Sequence, residues 1–411
     1  MMKTLTLIVT DACNLKCTYC FQQRSPKRMS RETAERAIDL HFQHTDETLG
    51  ISFFGGEPLL ELDLMKHAVR YAREKARRRH KRLRFSMTTN GMLVDRPTFS
   101  WLNQQRFSIK LSFDGVRPEH ELARGRGTSA KLIEVLDIAR SMYNCRVRTH
   151  TVVTPETVDY LAESIQFLYS KGILEFEFGT EFGVSWSKDA LNRLEHQYRK
   201  LVEFAKRYYD KWELMPFEHF TTPNIKGGFK CDVGCSRGSY VGPDGEVYGC
   251  TFHVPMWRKH GEYPEDFNLS WGSVDKLYQI GLKGSEFKSI LARVNASPYQ
   301  AGITERHTDS MKCSECPINR SCDACFVSGF QFNRGPLYVP QHICHMTAMR
   351  IRFGEELAAY TEHRAVRKLP ELERMQEILN CGNPASSKLV TLSNLTKKES
   401  GNRPARESVT V

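Results

Sequence analysis

The sequence lacks any apolar run of membrane-spanning length, and the apolar part of its N-terminus, residues 5–9, is too short for a signal peptide. We therefore expect a cytoplasmic protein with no membrane partner. Because a secretory signal is missing, the thirteen cysteines indicate metal or redox chemistry rather than a disulfide framework. No internal repeat is evident, and 411 residues, 40% of them hydrophobic and 26% charged, predict two ordinary globular domains.

The excess of basic over acidic residues gives a formal net charge of +11. The densest basic run, residues 70–84, contains Tyr71 as its one interleaved aromatic residue. Nucleic-acid grooves typically alternate basic residues with stacking aromatics. The run therefore favours a solvated helical face, and nucleic acid is not an expected partner.

Three cysteines, Cys13, Cys17 and Cys20, follow directly after residues 5–9, an apolar run that predicts a buried strand. Three thiolates on one loop can hold three irons of a 4Fe-4S cluster and leave the fourth iron open to a ligand. This C-x3-C-x2-C spacing, with Tyr19 before the third cysteine, resembles the signature of the radical S-adenosylmethionine (SAM) superfamily. The resemblance implies that the open iron binds SAM, that reduction cleaves SAM to a 5'-deoxyadenosyl radical, and that Tyr19 packs near the adenine. A zinc knuckle and three unrelated thiols are the alternatives.

Strand-like and helix-like segments alternate after this loop, and the first helical segment, residues 30–43, has Ser30 as a suitable N-cap. Such alternation requires right-handed crossovers and a parallel sheet. We therefore predict an α/β fold, a partial (β/α)6 TIM-type barrel with its chemistry at the C-terminal ends of the strands. The predicted strands are residues 5–9, 51–54, 83–88, 108–113, 146–153 and 174–178.

Polar motifs end several of these strands. In Gly55-Gly56-Glu57-Pro58, two glycines permit close approach to a ligand, and the Glu57 carboxylate can accept hydrogen bonds from an ammonium group. By resemblance to the superfamily, this segment holds the amino group of SAM, and Ser112 and Arg124 bind its carboxylate or ribose. Further rim positions expected near SAM are Thr88, Asn90 and Phe176, the last of these against the adenine. Either Glu177 or Glu181 is expected near the substrate, and Glu181 is a candidate catalytic residue.

Eight cysteines lie between Cys231 and Cys344, and a hairpin around Pro243-Asp244-Gly245 should bring Cys250 back beside Cys235. Their order resembles the SPASM domain, in which two auxiliary 4Fe-4S clusters interleave their ligands. One spacing departs from that pattern, since two residues rather than three precede Cys325. The resemblance implies one cluster on Cys231, Cys235, Cys250 and Cys325, and another on Cys313, Cys316, Cys322 and Cys344. Paired zinc sites are the alternative.

The composition divides the chain into five segments. We predict a radical SAM barrel at 1–185, a helical connector at 186–230, a C-terminal SPASM domain at 231–345, a helix at 346–380 and a disordered tail at 381–411. Cys145 and Cys381 are left as structural or incidental thiols.

Eleven thiolates and three cluster cores would lower the net charge to about +6. A protein that stays basic suits an acidic electron donor such as a flavodoxin or ferredoxin. Only twelve residues precede Cys13, so we expect leader-peptide recognition by a separate protein or by the barrel itself.

The two cysteine signatures together resemble the SPASM peptide and protein maturases, in which the radical abstracts hydrogen from a polypeptide. The products are thioether or carbon–carbon crosslinks, or formylglycine made by the anaerobic sulfatase-maturating enzymes. Those sulfatase maturases have an aspartate proton acceptor after the cysteine that corresponds to Cys250, where this chain has Thr251. Threonine has no useful basicity near neutral pH. We therefore favour peptide crosslinking, with His253 as a substitute base, over sulfatase maturation, and a non-catalytic zinc-binding protein is the alternative of another class.

Overall fold

The computed structural model describes residues 3–142, 145–181, 183–217, 219–220, 238–255, 263–264, 267–296, 306–322, 324–325 and 327–380, with side chains to residue 363. The chain divides into two compact units, Met1–Leu357 and Ala358–Val411. The elements that position the site all lie in the first unit. No helix of the described residues is both long and apolar enough to cross a membrane.

One nine-stranded sheet runs through the first unit in the order β6-β5-β4-β3-β2-β1-β7-β8-β9. The first six strands are parallel neighbours, as the alternation predicts. β7 pairs in parallel with β1, and β8 and β9 continue antiparallel. The strands are β1 Lys3–Thr10, β2 Thr48–Gly55, β3 Arg82–Thr89, β4 Ser108–Ser112, β5 Arg146–Val153, β6 Phe176–Thr180, β7 Gly238–Val241, β8 Glu246–Tyr248 and β9 Ser270–Ser273.

The helices connect the parallel strands and continue into the C-terminal region. The sequence prediction missed two of them, α3 and α4, which lie between predicted strands. The helices are α1 Arg31–His41, α2 Leu62–Arg78, α3 Arg96–Gln104, α4 Arg117–Arg124, α5 Thr128–Arg140, α6 Leu161–Ser170, α7 Lys188–Trp212, α8 Val274–Ile280, α9 Ser285–Asn295, α10 Val327–Gln331 and α11 Gln341–Asn380. Ser30 caps α1 as expected, because its side chain accepts a hydrogen bond from the Thr33 N–H.

The two faces of the sheet have different chemistry. The strand register aligns Leu5, Ile51 and Phe85 on one face, where all three belong to the buried core together with the apolar sides of the helices. Successive strand residues point to opposite faces. The other face therefore presents the polar series that includes Ser52 and Ser86, which are only partly buried. This polar face is the inner surface of the partial barrel.

The hairpin predicted around Pro243-Asp244-Gly245 is present, with Tyr240 opposite Tyr248 and Gly245 at φ +80°. Its pairing with β1 was not predicted. Because β7 extends the barrel sheet, the cysteine-rich region begins as a continuation of the barrel rather than after a break. The predicted tail at 381–411 lies outside the described residues.

Candidate active site

The cysteine loop leaves the C-terminal end of β1, as predicted. Its far side is tied to α4 by a hydrogen bond from the Thr18 N–H to the Ala123 carbonyl at 2.9 Å, and the Cys20 N–H donates to the Cys17 carbonyl. Cys13, Cys17 and Cys20 are all partly buried. Burial raises the pKa of the Cys13 and Cys17 thiols, so it resists their ionisation when no cation is nearby.

The Gly-Gly turn after β2 packs against the backbone just before Cys13. The Gly56 N–H donates to the Thr10 carbonyl and the Glu57 N–H to the Ala12 carbonyl, both at 2.9 Å. A Cβ atom on Gly56 would lie 2.2 Å from the Ala12 oxygen, and one on Gly55 would lie 2.2 Å from the Thr10 oxygen. The glycines are therefore required for contact between two strand ends. The contacts of both glycines are with protein backbone, and the predicted approach of a ligand to them stays a prediction.

The Glu57 side chain is fully buried, and protein groups use both of its oxygens. Oε1 accepts from the Leu59 N–H at 3.0 Å and the Thr89 hydroxyl at 2.8 Å, and Oε2 accepts from the Asn90 N–H at 2.8 Å. Burial raises the pKa of Glu57 to about 7, although these hydrogen bonds oppose the shift. These contacts join the turn to the end of β3, and the predicted contact of this carboxylate with the SAM ammonium stays a prediction.

Asn90 lies directly beside the cysteine loop. Its side-chain amide donates to Asn14 Oδ1 at 2.8 Å and approaches Cys13 Sγ at 3.7 Å. Thr88 and Ser112 lie on the polar inner face, at the C-terminal ends of β3 and β4. The structure therefore brings all three predicted rim residues to the mouth of the barrel, and their contact with SAM stays a prediction.

A buried carboxylate to which the sequence analysis assigned no role, Asp114, organises the centre of this rim. Arg124 binds it through Nε–Oδ2 at 2.7 Å and Nη2–Oδ1 at 3.0 Å, and the Tyr19 hydroxyl donates to Oδ2 at 2.9 Å. The Val152 N–H donates to Oδ1 at 3.0 Å. Burial alone would raise the pKa of Asp114, but Arg124 outweighs it and holds that pKa below its usual value.

Two predicted SAM contacts, Tyr19 and Arg124, thus have protein partners. The Arg124 guanidinium also lies over the Tyr19 ring, 5.3 Å from its centroid. Because Tyr19 stands between Cys17 and Cys20, this arrangement fixes the cysteine loop to β4 and β5. The spacing S-x-D-G after a strand was the available signal for Asp114.

A second buried acid, Glu119, lies on α4 below this pair. It accepts a hydrogen bond from the Ser164 hydroxyl and is completely buried. Burial raises its pKa to about 9, so the carboxyl is protonated at neutral pH. Neighbouring His120 has its pKa lowered to about 4, again mainly by burial. Both are neutral near pH 7 and leave Asp114 and Arg124 as the charged pair of this region.

The adenine contact predicted for Phe176 is wrong in this geometry. Phe176 is 2% exposed and packs against Phe204 of α7 and against Phe217, on the helix-covered face of the sheet. Strand alternation therefore turns the next residue, Glu177, into the barrel. Phe176 and Glu177 cannot both face the interior, because successive strand residues point to opposite faces.

Glu177 is one of three charged side chains that meet on the inner face. Lys110 of β4 and Arg148 of β5 both bind its carboxylate, the latter at 3.1 Å. All three side chains are between 22% and 31% exposed. Two cations facing one carboxylate leave this part of the barrel wall with a net positive charge.

A cavity of about 220 Å³ begins at the end of β6. Glu181, Tyr198 and His219 line it from the barrel side, and Cys325 and Met346 from the C-terminal region. The predicted position of Glu181 near a substrate space is consistent with this lining. Cys325, assigned to the first auxiliary cluster by resemblance, faces the same space.

The C-terminal cysteines are only partly described. Cys231 and Cys235 lie outside the described residues. Cys250 follows β8 at the start of a single helical turn. One enclosed cavity of about 50 Å³ is lined by all four cysteines assigned to the second auxiliary cluster: Cys313, Cys316, Cys322 and Cys344.

The predicted substitute base, His253, is in the wrong place for proton transfer to a substrate. It is 1% exposed and its ring packs edge-on against Phe267 at 6.4 Å. The Thr251 side chain is hydrogen-bonded to Tyr240, which lies on the inner face of β7. Burial raises the pKa of Tyr240, so its phenol stays protonated near neutral pH.

Comparison with known proteins agrees with this architecture. The family model described as the radical SAM superfamily matches residues 7–168. A cysteine-type anaerobic sulfatase-maturating enzyme of Clostridium perfringens is 25% identical, over 62% of this chain and 77% of the relative. The subtilosin biosynthesis protein AlbA of Bacillus subtilis is 24% identical, over 82% of this chain and 70% of the relative. An uncharacterised protein of Methanocaldococcus jannaschii is 29% identical, and the match spans 43% of this chain and 62% of the relative.

Two solved structures share the fold. Native anSMEcpe with bound AdoMet has a TM-score of 0.67 at 18% identity, covering 88% of this chain and all of that chain. Streptococcus suis SuiB bound to S-adenosylmethionine has a TM-score of 0.55 at 16% identity, covering 83% of this chain and 76% of that chain. Residues 7–168 are thus a radical SAM domain, and the chain is similar to an anaerobic sulfatase-maturating enzyme and to AlbA over most of its length.

Proposed function

We propose that this radical SAM protein is a peptide maturase that abstracts hydrogen from a residue of a polypeptide and gives a thioether or carbon–carbon crosslink. When bound, the cluster on Cys13, Cys17 and Cys20 together with SAM supplies the 5'-deoxyadenosyl radical. The single observation that carries the proposal is the cavity shared by Glu181 at the barrel rim and Cys325 of the cysteine-rich region. We propose that a polypeptide segment is held in this cavity, against Glu181 and Cys325.

Residues of this chain have separable tasks in the proposed reaction. Asp114 and Arg124 hold Tyr19, and through it the cysteine loop, in a fixed position beside the inner face. Preorganised geometry of this kind keeps the reacting atoms aligned. The wall formed by Lys110, Arg148 and Glu177 adds net positive charge to the barrel interior. We expect it to favour a substrate with an acidic side chain near the modified residue.

The cysteine sets favour iron–sulfur clusters over zinc as the cofactors. The loop with Cys13, Cys17 and Cys20 supplies three thiolates that can hold three irons of a cubane, and four further cysteines line one cavity. We propose three 4Fe-4S clusters: one on Cys13, Cys17 and Cys20, and two auxiliary clusters, the first of which includes Cys231 and Cys235.

Two protein partners belong to the proposal. The basic chain suits an acidic flavodoxin or ferredoxin as electron donor. Streptococcus suis SuiB, whose fold is similar, has also been solved bound to its precursor peptide SuiA. We propose a peptide substrate of comparable kind for this chain, recognised with or without a separate leader-binding protein.

Sulfatase maturation is the second candidate, favoured by the 25% identity to the clostridial enzyme. It requires a group that accepts the proton from the oxidised cysteine or serine. Thr251 is hydrogen-bonded to a protonated tyrosine and cannot fill that role. Crosslinking therefore remains the first candidate.

The deciding experiment combines anaerobic reconstitution, metal counting and deuterium transfer. About twelve irons per chain and cleavage of SAM under strong reductant are expected. Candidate peptides deuterated at the target residue should then place deuterium in 5'-deoxyadenosine. Loss of two hydrogens without a new aldehyde indicates a crosslink, whereas an aldehyde in place of the thiol of cysteine or the hydroxyl of serine indicates formylglycine. Zinc in place of iron, or no SAM cleavage, would refute the maturase proposal.

A further inference from the structure

A buried arginine, Arg306, shares the cavity of the four C-terminal cysteines. It is 3% exposed, and its backbone carbonyl accepts from the Cys313 N–H at 2.9 Å. Its Nη1 donates to the Ala324 carbonyl. Nε and Nη2 are buried, and neither has a hydrogen-bond acceptor among the described residues. Two donors of this permanently charged guanidinium thus have no acceptor in the part of the chain that the structure describes.

The described lining of the cavity contains nothing that neutralises this charge. Apart from Arg306 and the cysteines, the lining side chains are polar but uncharged or apolar, such as Thr308, Asn319 and Val339. The nearest described carboxylate in sequence, Asp309, is engaged elsewhere, by Arg334 at 3.0 Å and by the Tyr338 hydroxyl at 2.7 Å. Asp323 lies outside the described residues.

An unpaired buried cation is costly, with an effective penalty of several kcal/mol per ion. The penalty disappears if an anion occupies the adjoining space. Four thiolates around a 4Fe-4S core of about +2 carry a net charge of about −2. The cavity lining therefore has the sign of charge and the spare N–H donors that such a cluster requires.

We infer that Arg306 is the built-in counter-cation of the second auxiliary cluster and raises its reduction potential. This inference rests on the proposed assignment of that cluster to Cys313, Cys316, Cys322 and Cys344. Reduction adds one electron to the cluster and makes it more negative. A fixed neighbouring cation stabilises the reduced state more than the oxidised state, and N–H donors to sulfur act in the same direction.

The test is a redox titration of the full chain in a background where Cys13, Cys17 and Cys20 are replaced by alanine. That background leaves only the two auxiliary clusters, whose reduction is followed by electron paramagnetic resonance. Arg306→Met removes the charge and the donors, whereas Arg306→Lys keeps the charge. At the wild-type midpoint we expect Arg306→Met to lower the reduced-to-oxidised ratio of one cluster at least about tenfold, which corresponds to 59 mV for one electron. The reduction potential of this cluster in Arg306→Lys should fall between those of the wild type and Arg306→Met.

The other auxiliary cluster provides an internal reference and should keep its potential. Arg320 is the matched control, because it lies on the same cysteine loop but is exposed. Its charge is screened by solvent, so Arg320→Gln should change neither potential. Asp323→Asn should likewise leave both potentials unchanged. A rise on that substitution would identify Asp323 as the true partner of Arg306 and overturn the inference.

The remaining outcomes are also decisive. Loss of about four irons in Arg306→Met, restored in Arg306→Lys, supports a required counter-charge. An equal loss of iron in Arg306→Met and Arg306→Lys would overturn the inference. Wild-type reduction potentials in both variants would overturn it as well. Zinc in this cavity of the wild-type protein would overturn the inference about Arg306 but not the proposed function. The proposed function is tested separately, by SAM cleavage at the cluster on Cys13, Cys17 and Cys20.

Discussion

Replacing Asp114 with asparagine should destabilise the protein strongly. The substitution leaves the Arg124 guanidinium buried without its counter-charge, since Asp114 is fully buried and supplies both ion-pair contacts. Removing one partner of a buried pair typically costs about 3–5 kcal/mol. The unfolding entropy is roughly 2.1 cal/mol/K per residue, which for the Met1–Leu357 unit is about 0.75 kcal/mol/K. The melting midpoint should therefore fall by about 4–7 °C.

The assay is thermal unfolding followed by circular dichroism on anaerobically purified protein. Asp114→Asn combined with Arg124→Met removes both charges and should recover part of the loss. Glu74→Gln is the control, because its pair with Arg78 is exposed and contributes at most about 1 kcal/mol. A midpoint for Asp114→Asn within about 1 °C of wild type would refute the reasoning.

The sign of the pH dependence follows from the direction of the pKa shift. The pKa of Asp114 is lowered in the folded protein. Its stabilising contribution is therefore complete above the ordinary aspartate pKa and is lost as the pH falls through the folded value. Asp114→Asn should lack this acid-dependent loss, so the difference between variant and wild type should shrink at low pH.

Three further predictions concern the rim and the substrate cavity. Gly56→Ala should abolish SAM cleavage and reduce the folded yield, because the new Cβ atom would meet the Ala12 carbonyl oxygen. The control is Gly179→Ala, whose Cβ atom would meet nothing within 4 Å, so that variant should retain SAM cleavage and the folded yield. The stability of Glu119→Gln relative to the wild type should increase by up to about 1.4 kcal/mol per pH unit as the pH rises toward 9. The reason is that Glu119 of the folded wild type holds a proton that the unfolded chain releases. If the melting midpoints of the variant and the wild type shift in parallel from pH 6 to 8.5, the prediction is contradicted. Glu181→Gln should lower kcat/KM for the peptide about tenfold or more through a lost charged hydrogen bond. The rate of peptide modification at subsaturating peptide measures this effect, and an unchanged kcat/KM would remove Glu181 from the site.

Local patterns predicted the elements well because they depend on short-range chemistry. The apolar strand before Cys13, the Ser30 cap and the Pro243-Asp244-Gly245 hairpin were all found where the sequence indicated. Helices α3 and α4 were missed, since each is short and lies between stronger signals. Because α4 was not predicted, the position of Arg124 at the end of that helix was not predicted either.

Contacts between distant elements were not predictable in the same way. Glu57 was expected to face a ligand, but the return of β3 beside β2 supplies the Thr89 and Asn90 donors that bury it. His253 was chosen because it follows Cys250 closely in sequence, yet packing against Phe267 buries it. Sequence distance gave no measure of exposure in either case.

By itself the sequence determined the parallel α/β barrel, the position of the cysteine loop after its first strand and the resemblance to radical SAM proteins. Periodicity and cysteine spacing encode these features within a few residues of chain. The tertiary structure alone decided which polar groups are paired. Asp114 gains Arg124, Tyr19 and Val152, and Arg306 joins the four cysteines, because a buried charge must find its partner across space and most such partners are far apart in the chain.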